Sequence, residues 1–206
     1  MELKKLTVEG FINETASSSP APGGGSIAAL NAASSAALIA MVAQLTLGKE
    51  KYAASQEEMQ EVAQKAGALK DQFLAFIDED SNAFNKIMAA FKLPKDTDEA
   101  KKARSAAIQE ATKGAALVPF KVGKTANELF ALAEAVILRG NPNAVTDGAV
   151  AAMNARAAVR GAFLNVKINL GSIKDAQFVE DLKKQMAAIE ADVDAREQAL
   201  LEKVKL

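Results

Sequence analysis

The chain has 206 residues, of which 50% are hydrophobic and only 5% aromatic, and its 25 basic and 26 acidic residues leave a formal net charge of −1. This near balance gives no global electrostatic field that would favour nucleic acid or a membrane surface. The chain contains neither histidine nor cysteine. Disulfides, Ser-His-Asp or Cys-His catalysis and zinc sites with histidine or cysteine ligands are therefore excluded.

The length and composition predict an all-α protein with a single domain over residues 1–206. Abundant alanine, few aromatic residues and no tryptophan favour close helix packing over a strand-rich sandwich. We expect an antiparallel helix bundle with long, partly kinked helices. The N-terminal segment lacks the apolar core of a signal peptide, so we expect a cytoplasmic protein.

The chain begins with a helix predicted over residues 6–16, whose core-facing residues are Leu6, Phe11 and Ile12. The following segment, Ser19–Ser26, has the sequence SPAPGGGS, whose prolines and glycines cannot continue a helix. Three consecutive glycines let a backbone approach a ligand closely, and Ser26 can cap the next helix, where free N–H groups favour an anion. A plain turn before a helix is the structural alternative.

A buried central helix is predicted from Ser26 to about Leu47. Its apolar seam follows spacings of three and four residues and consists of Ile27, Leu30, Ser34, Leu38, Met41 and Leu45. The helix is long enough to cross a membrane, but its alanine and serine content, with Asn31 and Gln44, favours a packed core helix. After it, Lys49, Lys51 and Tyr52 form either a cationic and phenolic group or a solvated loop.

A long amphipathic helix is predicted from about Ser55 to Phe91. Its inner face is marked by Phe73, Ile77, Phe84, Ile87, Met88 and Phe91. Asp80 lies in register with this stripe, so its carboxylate should point into the bundle or toward a cleft. Burial would raise its pKa, as in general acids and bases, although an interhelical hydrogen bond explains the placement equally well.

The next helical stretch is predicted to continue to Leu138. Asp96 and Glu99, three residues apart, suggest a capping box at its start. Pro119 predicts a kink or break, and it leaves a carbonyl near Ala115 without its helical partner.

A second polar loop contains Asn141 and Asn143 and precedes a helix predicted over about 146–169. Thr146 can cap this helix, and the helix dipole would keep Asp147, in its first turn, ionised. A first-turn aspartate is usually only a helix stabiliser, but the two asparagines supply more directed hydrogen-bonding groups than a plain connector needs.

Three asparagines, Asn154, Asn165 and Asn169, fall near one face of that helix among small residues. There they can line a polar cleft or bond across helices. A last helix is predicted over about 175–204.

Six segments occur in an order that is specific as a set: Ser19–Ser26, Leu47–Tyr52, Asp78–Phe84, Leu93–Lys95, Gly140–Asp147 and Asn165–Asn169. With them the chain resembles, over nearly its whole length, the cyclodeaminase/cyclohydrolase family of folate enzymes, in particular its stand-alone bacterial methenyltetrahydrofolate cyclohydrolases. Family members commonly have Ser-Asp where this chain has Thr146-Asp147. The resemblance implies a homodimer with active sites close to the subunit interface, no metal and no cofactor beyond the folate substrate.

The implied reaction is hydrolysis of 5,10-methenyltetrahydrofolate to 10-formyltetrahydrofolate. The alternative within the family is cyclisation of 5-formiminotetrahydrofolate with loss of ammonia; the absence of a fused formiminotransferase domain favours the hydrolase. A third possibility is a non-enzymatic helical scaffold, but a simple bundle would not require the glycine-rich segment, the asparagine loop or Asp80.

The resemblance also suggests roles for individual residues. Asp80 and Asp147 share proton transfer and stabilisation of the substrate cation, in an order that the sequence leaves open, and Lys49 anchors or shuttles charge. The candidates for substrate binding are Pro22, Gly23, Gly24, Gly25, Ser26, Tyr52, Asn141, Asn143, Thr146, Asn165 and Asn169.

Overall fold

The computed structural model describes residues 2–205, and all regular structure in this range is helical. The α-helices are α1 (Val8–Thr15), α2 (Gly24–Thr46), α3 (Gln56–Phe91), α4 (Asp98–Ala126), α5 (Leu129–Arg139), α6 (Val145–Leu170), α7 (Ala176–Glu190) and α8 (Val193–Leu201). Short 3-10 turns at Leu3–Lys5, Glu50–Ser55 and Pro142–Ala144 precede α1, α3 and α6. The predicted all-α fold is confirmed.

Helix α2 is the central helix of the bundle and packs along both α3 and α6. Its inward-facing residues are mostly alanine, with Ile39 and Val42 also fully buried. The small side chains allow close approach, and the hydroxyl of Ser35 reaches across to donate to the carbonyl of Ala151 in α6 at 2.7 Å. Within the described part of the chain, α2 alone is long and apolar enough to span a membrane, a test that a buried core helix also passes.

The apolar seam predicted for α2 is not the most buried face of this helix. Met41 and Leu45 are exposed, and the other seam residues are only partly buried, whereas Ala28, Ala32 and Ala36 are fully buried. The prediction followed side-chain size, but the close contact with two neighbouring helices favours small residues over most of the inner face. Three further residues predicted to face inward are also exposed, namely Ile12, Met88 and Phe91.

Helix α4 continues through Pro119 and does not break there. The chain ends this helix at Ala126 instead and starts α5 two residues after Asn127. The expected carbonyl is nevertheless freed: Ala115 O lacks its helical donor and accepts from Asn169 Nδ2 of α6 at 3.3 Å.

Two other predicted helix ends are corrected by the structure. The N-cap of α4 is Thr97, whose hydroxyl accepts from Ala100 N at 3.1 Å, so Asp96 does not cap it. The predicted last helix is divided between Glu190 and Val193 into α7 and α8.

The contact between α4 and α6 provides a test of the packing. A Cβ added at Gly123 would lie 2.7 Å from Cδ1 of Phe163, whose fully buried ring stacks on Phe120. Because the ring has no room to move, Gly123→Ala should lower the free energy of unfolding by ~1–3 kcal/mol, measured by urea denaturation. The matched control is Gly114→Ala in the same helix, where nothing lies within 4 Å of the added Cβ; it should be neutral or stabilising by up to ~1 kcal/mol. Equal effects of the two changes would contradict the packing argument.

Candidate active site

A cleft of about 330 Å³ opens beside the first turn of α2. Its walls come from the segment before α2 and from α2, α3, α4 and α6. We call it the Asp80 cleft; it is lined by Pro20, Ala21, Gly23, Gly24, Gly25, Asp80, Phe84, Ile87, Ala115, Asn165, Ile168 and Asn169. A larger groove of about 660 Å³ lies between α3 and α4, but its ionisable side chains, Glu79, Lys86 and Glu110, are exposed.

The Asp80 carboxylate lies on the inner side of this cleft, against the start of α2. Ser26 Oγ is 3.1 Å from Asp80 Oδ2 and 3.1 Å from the carbonyl oxygen of Ile77. Burial raises the pKa of Asp80 above its ordinary value of 3.8, and the hydrogen bonds from the Ser26 hydroxyl and backbone N–H only partly offset this effect. Asp80 therefore combines partial access to the cleft with a shifted pKa, a combination common in proton-transfer groups.

The position of Ser26 corrects its predicted role. The N-cap of α2 is Gly23, with no side-chain hydrogen bond, and Ser26 lies inside the first turn. Its fully buried hydroxyl turns toward α3 and holds the carboxylate, so it does not close the end of its own helix.

Side chains of other helices press on two glycines in this arrangement. A Cβ at Gly25 would lie 2.6 Å from Asp80 Oδ2, and one at Gly24 would lie 3.0 Å from Asn165 Nδ2. The carboxylate thus packs directly on the backbone at the N-terminal end of α2, where the partial positive charge of the helix favours an anion.

Asn165 and Asn169 form the α6 wall of the cleft. Asn165 Nδ2 donates to Gly161 O at 2.8 Å, and Asn169 Nδ2 donates to Asn165 O at 2.9 Å. Asn154, predicted to share their face, is not among the residues that line the cleft. Pro22 is buried behind the cleft and does not line it either.

A second polar group lies at the other end of α2. Tyr52 Oη donates to Asn141 Oδ1 at 2.8 Å, the Asn143 backbone N–H donates to the same oxygen at 3.1 Å, and Asn141 N donates to Thr46 Oγ1 at 2.8 Å. We call these four residues the Asn141 cluster. Thr46 was not predicted to belong to a polar group, because a threonine in an apolar helix gives no distinctive signal.

Asp147 and Thr146 follow this cluster in the first turn of α6. Thr146 is exposed and does not cap the helix, whose N-cap is Ala144. The cap is not needed, since the 3-10 turn capped by Asn141 leads directly into α6. Lys49 is exposed on the loop after α2.

The two polar groups are far apart within one chain. Helix α2 has 23 residues, so the Asp80 cleft at its first turn and the Asn141 cluster at its last turn are separated by about 30 Å. Asp80 and Asp147 were expected to act on one substrate, but a single chain does not bring them together. Lys49 and Tyr52 are likewise at the end of α2 distant from Asp80.

The cleft also contains residues that were not predicted to contact a ligand. Phe84 and Ile87 were expected in the core, and they are partly buried on the cleft wall instead. Their register with Asp80 on α3 was the available signal, because side chains three, four and seven residues apart share a helix face.

Comparison with known proteins agrees with the fold and with the order of the motifs. The sequence model of the family described as Formiminotransferase-cyclodeaminase matches residues 7–188. A methenyltetrahydrofolate cyclohydrolase from Methylorubrum extorquens is 40% identical over 199 residues, which are 97% of this chain and 96% of that protein. A formimidoyltransferase-cyclodeaminase from Mus musculus is 34% identical over 95% of this chain, which corresponds to 38% of the longer mouse protein.

A solved structure supports the same relationship. The crystal structure of a formiminotetrahydrofolate cyclodeaminase from Thermotoga maritima matches with a TM-score of 0.88 and 27% sequence identity, over 98% of both chains. The resemblance inferred from the ordered motifs is confirmed, and the chain belongs to the formiminotransferase-cyclodeaminase family.

Proposed function

We propose that the protein hydrolyses 5,10-methenyltetrahydrofolate to 10-formyltetrahydrofolate, with Asp80 as the proton-transfer group. The observation that carries this proposal is the Asp80 carboxylate, held with a raised pKa against the backbone of Gly25 inside a cleft. Further support comes from the Methylorubrum extorquens methenyltetrahydrofolate cyclohydrolase, which aligns with this chain over nearly the full length of both proteins.

The substrate explains why a buried carboxylate is useful. The carbon that bridges N5 and N10 of methenyltetrahydrofolate shares a delocalised positive charge with these nitrogens. This cation would favour the ionised form of Asp80 when the substrate binds, which prepares the carboxylate to act as a base. The same charge attraction would hold the bridging carbon beside the carboxylate.

The reaction then follows from proton transfer at Asp80. A water molecule attacks the bridging carbon while Asp80 accepts one of its protons, which gives a neutral tetrahedral intermediate. As the bond from this carbon to N5 breaks, N5 gains a proton and the new hydroxyl group loses its own, which leaves a formyl group on N10. Water supplies both protons, so one appears on N5 and one is released.

The walls of the Asp80 cleft suit a pterin ring. Phe84 and Ile87 offer apolar contact, and the side-chain amides of Asn165 and Asn169 offer hydrogen-bonding groups. The backbone N–H groups at the start of α2, from Gly24 and Gly25, are donors for substrate oxygens. The volume lies at the lower end of the ~300–1,000 Å³ typical of small-molecule sites.

A second reaction has support from the solved relative, a formiminotetrahydrofolate cyclodeaminase that matches nearly the whole chain. In that reaction N5 carries a formimino group, ring closure forms the methenyl bridge, and ammonia leaves. The same cleft and the same proton-transfer group would serve, so we keep cyclodeamination as the alternative and separate the two by their products.

The proposed enzyme is a homodimer whose interface is the outer face of α2 and α6. Apolar side chains are exposed on this face of both helices, and Leu164 and Ile168 of α6 are 64% and 77% exposed. The other members are Met41, Leu45, Val150 and Met153. Because α2 has no charged residue and contiguous exposed apolar surface marks association sites, a second copy of the chain is the proposed partner.

A two-fold dimer through this face would join the two separated groups. Within one chain α2 and α6 run antiparallel, since Gly24 lies beside Asn165 while Thr46 lies beside Asn141. If the α2/α6 faces of two copies pair in opposite directions, the Asp80 cleft of each subunit meets the Asn141 cluster of the other. The partner subunit's Asp147 could then stabilise the substrate cation, with Lys49 and Tyr52 nearby.

The proposed mechanism uses carboxylates, amides, backbone groups and the nearby Lys49 and Tyr52, without a metal ion. It places the enzyme in the cytoplasm, since a chain without cysteine is compatible with a reducing compartment.

The overall assignment predicts that the purified protein accelerates the decay of the near-ultraviolet absorbance of methenyltetrahydrofolate well above the buffer rate. The discriminating measurement is ammonia release from formiminotetrahydrofolate under the same conditions. Faster decay without ammonia identifies the hydrolase, whereas ammonia release with slow decay favours the cyclodeaminase. Activity in neither assay would contradict the proposed function.

Asp80→Asn should lower turnover by at least ~10²-fold, the usual scale for loss of an acid–base group. In the wild type, kcat/KM should fall as the pH drops through the raised pKa of Asp80, because the base must be ionised to accept a proton. Glu79→Gln is the matched control, since Glu79 is the exposed neighbour on the same helix and its loss should leave turnover unchanged. Full activity in a folded Asp80→Asn variant would remove Asp80 from the mechanism.

The shared site predicts that two inactive variants rescue each other. Asp80→Asn and Asp147→Asn should each be inactive alone, but mixed dimers contain one site with both aspartates intact. Random reassociation of equal amounts should restore about a quarter of wild-type activity, since half of the dimers are mixed and one of their two sites is intact. The dimer itself should appear in light scattering at twice the 21.6 kDa chain mass. Mixtures no more active than their components would show that each site lies within one chain.

A further inference from the structure

Pro119 occupies an unusual position in the middle of α4. Proline has no backbone N–H, so the carbonyl four residues earlier, that of Ala115, has no helical donor. Pro119 is itself buried, and Ala115 is one of the residues that line the Asp80 cleft. The freed carbonyl therefore lies at the Asp80 cleft, where a polar group from another helix can donate a hydrogen bond to it.

Asn169 of α6 is the group that uses it. Its Nδ2 atom donates one hydrogen to Ala115 O at 3.3 Å and the other to Asn165 O at 2.9 Å. Both partners are carbonyl oxygens, which can only accept, so the nitrogen of the amide must face them. The orientation of the amide is thus fixed from two helices at once.

The fixed orientation determines which atom of Asn169 is free. With both hydrogens of the amide engaged, the Oδ1 atom points away from the two carbonyls. Asn169 lines the Asp80 cleft, and among the described residues no donor bonds to this oxygen. The cleft therefore has an oriented hydrogen-bond acceptor on its α6 wall.

We infer that Pro119 is a positioning residue for ligand binding in the Asp80 cleft: it leaves the Ala115 carbonyl free to hold the Asn169 amide, whose Oδ1 then accepts from an N–H group of the ligand. The inference rests on the proposed folate site only for the identity of that ligand, whose pterin ring carries N–H donors. A residue with a backbone N–H at position 119 would return the Ala115 carbonyl to the helix and weaken its bond to Asn169. The proline ring also crowds that carbonyl and tilts it away from the helix axis.

The direct test replaces Pro119 by alanine, which restores the N–H and suits a helix. We expect Pro119→Ala to raise KM for methenyltetrahydrofolate about tenfold, the scale of one well-placed hydrogen bond, while kcat changes less than twofold. Gly114→Ala is the control on the same helix and should change neither constant. An unchanged KM in a folded Pro119→Ala variant would overturn the inference.

A double-mutant cycle separates positioning from a general effect on structure. Asn169→Ala alone should raise KM by a similar factor, and adding Pro119→Ala to it should have no further effect, because the proline acts through the asparagine. Independent, multiplying effects would overturn the inference. Should Pro119→Ala fail to fold, Pro119→Val also restores the N–H and serves in the same cycle.

A spectroscopic readout keeps this test separate from the proposed function. In the wild-type protein the side-chain NH₂ protons of Asn169, assigned in ¹⁵N NMR spectra by comparison with Asn169→Ala, should exchange slowly with solvent. In Pro119→Ala they should exchange faster and shift toward the positions of exposed asparagines. This result would support the positioning role even if the protein proved inactive on both folates, whereas unchanged signals would overturn it even in an active enzyme.

Discussion

The close approach of α2 to α3 and α6 is the constraint on which the rest of the structure depends. It is possible because the inner face of α2 is built from alanine, glycine and serine, with little side-chain bulk between the helix axes. At Gly25 the contact is so close that a single methyl group would collide with the Asp80 carboxylate. The small residues that allow close helix packing therefore also form the inner wall of the candidate active site.

This placement makes Asp80 useful and costly at once. Burial raises its pKa, so the folded protein holds the proton more tightly than the unfolded chain does. The resulting contribution to stability is present below the unfolded value, near 3.8, and is lost as the pH rises through the raised pKa of the folded state. Above that raised pKa the ionised carboxylate therefore lowers stability, and the hydrogen bonds from Ser26 offset only part of that cost. A cationic substrate would attract the ionised carboxylate and offset this electrostatic cost. Substrate binding would therefore recover stability that burial of Asp80 takes from the free protein.

The division of α2 into two faces connects the fold to the proposed assembly. Its inner face, mostly alanine, packs in the bundle, while Met41 and Leu45 are exposed on the outer face together with Leu164 and Ile168 of α6. A helix without charge on either face is stable in water only if both faces are largely covered. A second subunit would provide that cover on the outer face, and it would also explain why two groups of polar residues lie at opposite ends of one helix. Ile168 belongs both to the exposed apolar face of α6 and to the lining of the Asp80 cleft.

The sequence by itself determined the helical fold, the position of Asp80 on the inner stripe of α3 and the freed carbonyl near Pro119, because each follows from periodicity or from the chemistry of one residue. Only the tertiary structure decided that Ser26 binds Asp80, that Asn169 reaches Ala115 and that the Asn141 cluster lies about 30 Å from the Asp80 cleft. These facts depend on which helix faces which. Local pattern shows that certain residues share a face, as it did for the large residues of α2, but whether that face turns inward is settled by how closely the neighbouring helices can pack.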